Sequence, residues 1–204
     1  MTVLLAGAAA HNAGRYSVAR TIWAGEAPVT PDADEADDRL LDGLAVFAAA
    51  VTESRRGEWA AATDAAAEAE LALGSVDDPD VDLAPIRRWL AAFEADPETA
   101  ERSPPPTVTV DGERPTPGEL PLSAAAVVAG AVATAHGDDA DVVADALRFA
   151  REDDHPETTR YATFLRDYAA ADASDRPIIF ERLSGLVARE RRKEEDVEGL
   201  FGGE

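Results

Sequence analysis

The chain has no cysteine, one methionine, a single lysine (Lys193) and three histidines. The first absence excludes disulfides and thiolate-ligated metals. The histidines, His11, His136 and His155, fall in three separate segments. No pair has the i, i+4 spacing that brings two imidazoles to one zinc ion, and no HExxH occurs. Cations are scarce: 19 Lys and Arg stand against 41 Asp and Glu, for a net charge of −22. Counterion release, which drives binding to phosphate backbones, is therefore missing, and nucleic acid and anionic membrane surfaces are excluded as partners. Aromatic residues make up only 6%, so a core must come from close approach of Ala-rich helices rather than from large side chains.

Long apolar runs are missing too. The longest uncharged stretch, Leu120 to His136, is interrupted by Pro121 and Gly130 and falls short of the ~20 residues a bilayer span needs. The opening MTVLLAGAAAHNAG has no basic leader, so no signal peptide is expected and the location expected is cytoplasmic. Nucleophile elbows, P-loops and GxGxxG motifs do not occur. The run Asp77 to Asp82 resembles a calcium loop only superficially. Counted from Asp78, Leu83 stands where a glycine is required and Trp89 where the bidentate glutamate belongs. An acidic helix N-terminus, favoured by the dipole, accounts for it. The expectation is a protein without metal or cofactor that leans away from enzymatic activity. Its acid-rich, Lys-poor, Ala-rich composition looks like that of a protein from a salt-in halophile, where molar salt shortens the Debye length to about 3 Å; the alternative is an ordinary acidic protein.

What is present is helical patterning. Leu4, Leu5, Ala8 and Ala9 share one side of a first helix over 2–13, which Gly14 terminates. Tyr16, Ala19 and Trp23 follow at i, i+3, i+7 in a second helix over 15–25. After an acidic, proline-bearing loop, Asp37 or Asp38 offers an N-cap, and Leu40, Leu44, Phe47 and Val51 form a stripe that closes at Arg55-Arg56-Gly57. Further helices are predicted at 58–74, up to about Ala95, and at 123–136, 139–152, 156–170 and 175–194. The Pro-rich segment 103–121 breaks the pattern; Thr107 to Val110 followed by Asp111-Gly112 reads as a small β-turn. The fold class is therefore all-α: antiparallel helical hairpins packed as a bundle or tetratricopeptide-like array. The expected organisation is a hairpin domain over 1–102, a linker over 103–121, a second helical part over 122–195 that can pack on the first, and a flexible tail over 196–204.

Two hairpin turns share a pattern. Gly14-Arg15-Tyr16-Ser17-Val18-Ala19 and Gly57-Glu58-Trp59-Ala60-Ala61-Ala62 each read Gly, polar, aromatic, two residues, Ala, with the aromatic filling the gap at the turn. With NAGRYSVARTIW at 12–23 and LLDGLAVFAAAVTESRRGEWAAATDAAAEA at 40–69, the first half resembles the small helical family of bacteria and archaea catalogued as domain of unknown function 309. Asn12, Gly14, Tyr16, Ala19, Trp23, Gly43, Leu44 and Gly57 carry the likeness over roughly residues 2–73. The chain departs from the family pattern at Arg20-Thr21, where the family has His-Glu, at Ala24, where a later Glu stands, and at Asp42, which replaces a Gln. The family has no established activity, so the resemblance implies a fold and little function, and a ligand held by the His-Glu pair is in doubt here.

The groove between the first two hairpins, lined by Tyr16, Arg20, Trp23, Asp42 and Phe47, is the expected site of a non-enzymatic interaction module binding a peptide, a partner helix or a second copy. Arg20 borders the inward face of its helix, with Asp42 or Glu26 as candidate partners in an ion pair. The alternative is a small-molecule (anion) binding protein or degenerate hydrolase, with Arg20 holding the anion. The cations Arg189, Arg191, Arg192 and Lys193 are interleaved with Glu190, Glu194 and Glu195 and read as a solvated helix face. In the tail, Leu200 and Phe201 in acidic flanks form a possible docking peptide, or fold back onto the body.

Overall fold

A computed structural model of the protein describes residues 1–30, 37–76, 80–98 and 102–201, with backbone alone for 197–201. Among the described residues the chain is all-α, with nine α-helices and no strand. We number them α1 (Thr2–Asn12), α2 (Tyr16–Trp23), α3 (Asp38–Arg56), α4 (Trp59–Gly74), α5 (Ala84–Ala95), α6 (Leu122–His136), α7 (Ala140–Arg151), α8 (Arg160–Ala170) and α9 (Arg176–Phe201). Short 3-10 turns at Pro117–Glu119 and Pro156–Thr158 precede α6 and α8.

Local chemistry explains the boundaries. Gly14 and Gly57 sit at φ 78° and 77°, the left-handed conformation that ends a helix at little cost only for glycine. Beyond each, the next amide reaches back five residues, Arg15 to Ala10 and Glu58 to Glu53, both at 3.0 Å. Asp37 caps α3, its carboxylate accepting from the Arg39 amide at 2.8 Å. The two Gly-x-aromatic turns then diverge. Tyr16 is half-buried against His11, with ring centroids 4.9 Å apart, whereas Trp59 is 38% exposed. Trp59 opens an outer Ala-rich helix, which has no comparable gap to fill.

Helices α1 to α5 each pack on the next in sequence, as a hairpin array requires. The chain then returns: α6 lies against α1 and α2 on one side and α7 and α8 on the other. Leu122 and every residue from Ala124 to Ala133 are buried, the mark of a helix enclosed on all sides. Its Gly130 lets Val29 approach, since an added Cβ would lie 2.8 Å from a Val29 methyl. The uncharged run 120–136 is thus the central element of the fold. Among the described residues no helix is long and apolar enough to cross a membrane.

The Pro-rich segment threads between elements. Val108 and Val110 are buried, and Val110 bridges to Val81. The β-turn at Asp111-Gly112 is present: Val110 and Glu113 exchange two backbone hydrogen bonds of 2.9 Å, with φ of 52° and 76° at the central residues. Helix α9 runs to Phe201, beyond the end predicted at 194, so the backbone of 196–201 is helical. Residues 202–204 and the side chains of Leu200 and Phe201 lie outside the described residues.

Candidate functional site

The residues expected to line a groove separate into two groups. Trp23 and Phe47 are 2% and 0% exposed and belong to the core. Together with Tyr16 they surround His11: its ring centroid lies 6.0 Å from that of Trp23 and 5.2 Å from that of Phe47. The aromatic cluster continues through Trp89 and Phe93 on α5. Arg55 covers the outer face of Tyr16, 5.1 Å from the ring centroid. Arg20 and Asp42 are exposed instead, and among the described residues Arg20 pairs with neither Asp42 nor Glu26. The structure brings three of the five together as packing, and leaves the two charged ones at the surface.

His11 sits at the centre of this cluster. Buried at 2% exposure, it hydrogen-bonds through Nε2 to the Pro106 carbonyl at 3.0 Å; that contact makes Nε2 the protonated nitrogen and leaves Nδ1 without a partner. Burial holds its pKa down to about 4, against the smaller opposing pull of the Pro106 carbonyl.

Arginines serve as helix caps, a role the sequence reading missed. Arg15 reaches three carbonyls at the end of α8: Ala169, Ala170 at 3.1 Å and Ala171 at 2.5 Å. Arg87 donates to the Leu73 carbonyl from both Nε and Nη2, at 3.1 and 2.7 Å, and to that of Val76, closing α4. Arg166 binds the Leu120 carbonyl at 2.8 Å and the carboxylate of Glu157. Glu157 in turn accepts from the first amide of α6, Leu122, at 3.1 Å. These guanidiniums are held by orphan carbonyls at helix ends. Arg148 forms a two-pronged pair with Glu194 at 2.7 and 2.9 Å, and Arg191 pairs with Asp145; both tie α9 to α7.

Against that pattern stands a groove of about 870 Å³ between α8 and α9. Four arginines line it: Arg160 from α8, and Arg182, Arg189 and Arg192 from α9. Among the described residues none of the four forms an ion pair; Arg192 only donates back to the Ala188 carbonyl at 3.1 Å. Phe164, Ile178 and Leu186 supply apolar wall, and Glu181 is the one acid in the lining. Along α9 the groove residues Ile178, Arg182, Gly185, Arg189 and Arg192 recur at spacings of four, three, four and three, the seam of a helix that meets another helix. Its inner partner stripe, Leu183 and Val187, is buried. The sequence signal was this second, outward seam, hidden because the cations of 189–193 read as mutually paired with their glutamates. Lys193 is paired in this way with Glu190, whereas Arg191 pairs with Asp145 on α7; Arg189 and Arg192 form no ion pair among the described residues.

Among the described residues, no group of three or more His, Asp or Glu is disposed to hold a metal ion. No protein-family model, curated protein or solved structure matches the chain.

Proposed function

We propose that the protein is a non-enzymatic helical interaction module whose recognition surface is the arginine-lined groove between α8 and α9. One observation carries this reading. In a chain of net charge −22, four arginines without carboxylate partners among the described residues share one groove with an apolar wall. Guanidiniums that spend no hydrogen bond on a carboxylate of their own chain remain available to a carboxylate-bearing partner. The groove replaces the Tyr16–Phe47 face as the binding surface, because Trp23 and Phe47 are enclosed. The resemblance to domain of unknown function 309 agrees with the helical array and adds no chemistry here. The composition favours a protein at work in high salt, inside the cell.

The test is fluorescence anisotropy of a labelled acidic amphipathic peptide against the full chain in a KCl series. Binding is expected, weakened by salt and lost in R182E/R189E. Equal binding by the variant would overturn the assignment of the groove. Thermal stabilisation by small anions at constant ionic strength, without peptide binding, would favour a small-molecule site instead.

A further inference from the structure

Taken as an interaction surface, a reading on which the pairing inferred here depends, the groove has a shape and a chemistry that narrow its occupant. From Ile178 to Arg192 the seam runs fourteen residues along α9, or roughly 21 Å at the helical rise of ~1.5 Å per residue. Such length suits a helix of about four turns better than a compact anion. Midway sits Gly185. A Cβ built there meets nothing within 4 Å, so no contact among the described residues accounts for a glycine that costs about 1 kcal/mol of helix propensity relative to alanine. A small residue facing open space in a heptad seam is suited to close approach by another helix.

The chain itself carries a segment of the required chemistry. Helix α9 continues past the groove to Phe201 with the sequence EEDVEGLF. Its acids are Glu194, Glu195, Asp196 and Glu198, and its apolar residues Val197, Leu200 and Phe201 recur at i, i+3 and i+4. Glu194 is already engaged by Arg148. This is an acidic amphipathic helix, complementary to a cationic groove with apolar walls.

We infer that the groove of one copy receives the C-terminal end of α9 from a second copy, so that two chains pair through antiparallel α9 helices. Groove and end lie on one helix. An antiparallel arrangement therefore sets the 195–201 end of each copy along the Arg182–Arg189 stretch of the other, and the same contact is made twice in a closed pair. Between two chains of this charge the pairing needs salt to screen the bodies and short-range contacts to hold the seam.

Sedimentation velocity over a protein concentration series, in fixed high KCl, tests the inference on three full-length proteins. The wild type is expected to pass from monomer to dimer. R182E/R189E, with a spoiled groove, and L200K/F201K, with a spoiled end, should each dimerise roughly tenfold or more weakly. Mixed together, the two variants should form a one-to-one complex, since one intact groove then meets one intact end. Circular dichroism melts establish that both variants are folded. A wild type that stays monomeric, dimers unaffected by either double substitution, or variants that fail to complement would each overturn the pairing. If the wild type is monomeric but the unrelated acidic peptide still binds with R182E/R189E sensitivity, the occupant is a foreign acidic helix and the interaction reading stands. If that peptide fails as well, both fall together.

Discussion

Asn12 clamps the backbone of Val108 from both sides: its Nδ2 donates to the Val108 carbonyl and its Oδ1 accepts from the Val108 amide, each at 2.9 Å. The same Nδ2 also reaches the Pro115 carbonyl at 3.2 Å. One side chain at the end of α1 thus does for the Pro-rich segment what a neighbouring strand would do. Val108 is 0% exposed, so water cannot replace these bonds without opening the structure. Asn12→Ala should cost about 2–4 kcal/mol, since buried groups lose partners with nothing in exchange. Asn12→Asp should be no better, because a carboxylate cannot donate to either carbonyl. Urea denaturation midpoints at fixed salt are the measure; a change below about 0.5 kcal/mol would mean that the clamp contributes little.

The buried imidazole gives the protein a specific acid sensitivity. His11 titrates near 4 when folded and near ~6.5 when unfolded, so between those values the unfolded chain takes up a proton that the folded one refuses. Stability from this group is therefore complete above pH ~6.5, falls as the pH drops toward 4, and changes no further below; the full effect is about 3 kcal/mol. Stability measured between pH ~6.5 and 5.5, above the main carboxylate range, should slope downward with acid in the wild type. His11→Phe should be less stable throughout, through loss of the Pro106 bond, with a flatter slope. Equal slopes would assign the sensitivity to other groups.

Two arginines five residues apart should behave oppositely. Arg15 fills the carbonyl end of α8 from a half-buried position, and burial together with the nearby Arg176 charge lowers its pKa. Arg15→Ala should destabilise by about 2–3 kcal/mol, and Arg15→Lys by nearly as much, because an ammonium cannot reproduce a planar fork on three carbonyls. Arg20 is exposed, and Arg20→Ala should fall within about 0.5 kcal/mol of the wild type. Thermal melts of the three variants side by side decide the matter.

Trp23 lies directly over Gly7. An added Cβ at that position would come within 2.2 Å of the indole Nε1, while the indole itself donates to the Leu4 carbonyl at 3.4 Å. Gly7→Ala gains helix propensity yet must push the ring out of its seat, so a net loss of about 2–3 kcal/mol is expected. Trp23→Ala should cost about 3–5 kcal/mol. A Gly7→Ala protein as stable as the wild type would show that the α1–α2 contact yields easily.

What could be read from the sequence was local. The glycine stops at 14 and 57, the Asp37 cap and the Asp111-Gly112 turn depend on residues within a few positions of one another, and each is present. The hydrophobic stripe of α3 pointed inward for the same reason. What escaped was set by distance or by mixed signals. Asn12 and Val108 are 96 residues apart, and nothing in either neighbourhood announces the other. Helix α6 is apolar on every face, so it has no amphipathic stripe to say what it packs against. Trp23 and Phe47 were legible as helix-face residues, but an aromatic at helical spacing says only that it faces something, and here they face the core. Arg189 and Arg192 were masked by glutamates at pairing distance, of which Glu190 pairs with Lys193 and Glu194 with the distant Arg148 instead.

The enclosure of α6 has a consequence for how the protein is made. Helices α1 and α2 emerge from the ribosome with the side that α6 will cover still bare. The Asn12 clamp has nothing to grip until Val108 appears. The first five helices can stack locally as they are synthesised, but they remain open on that side through more than a hundred residues of translation. Closure waits for α6, and from then on the early and late helices stand or fall together, so release of a chain cut short before α6 would put a sticky apolar face into the cell.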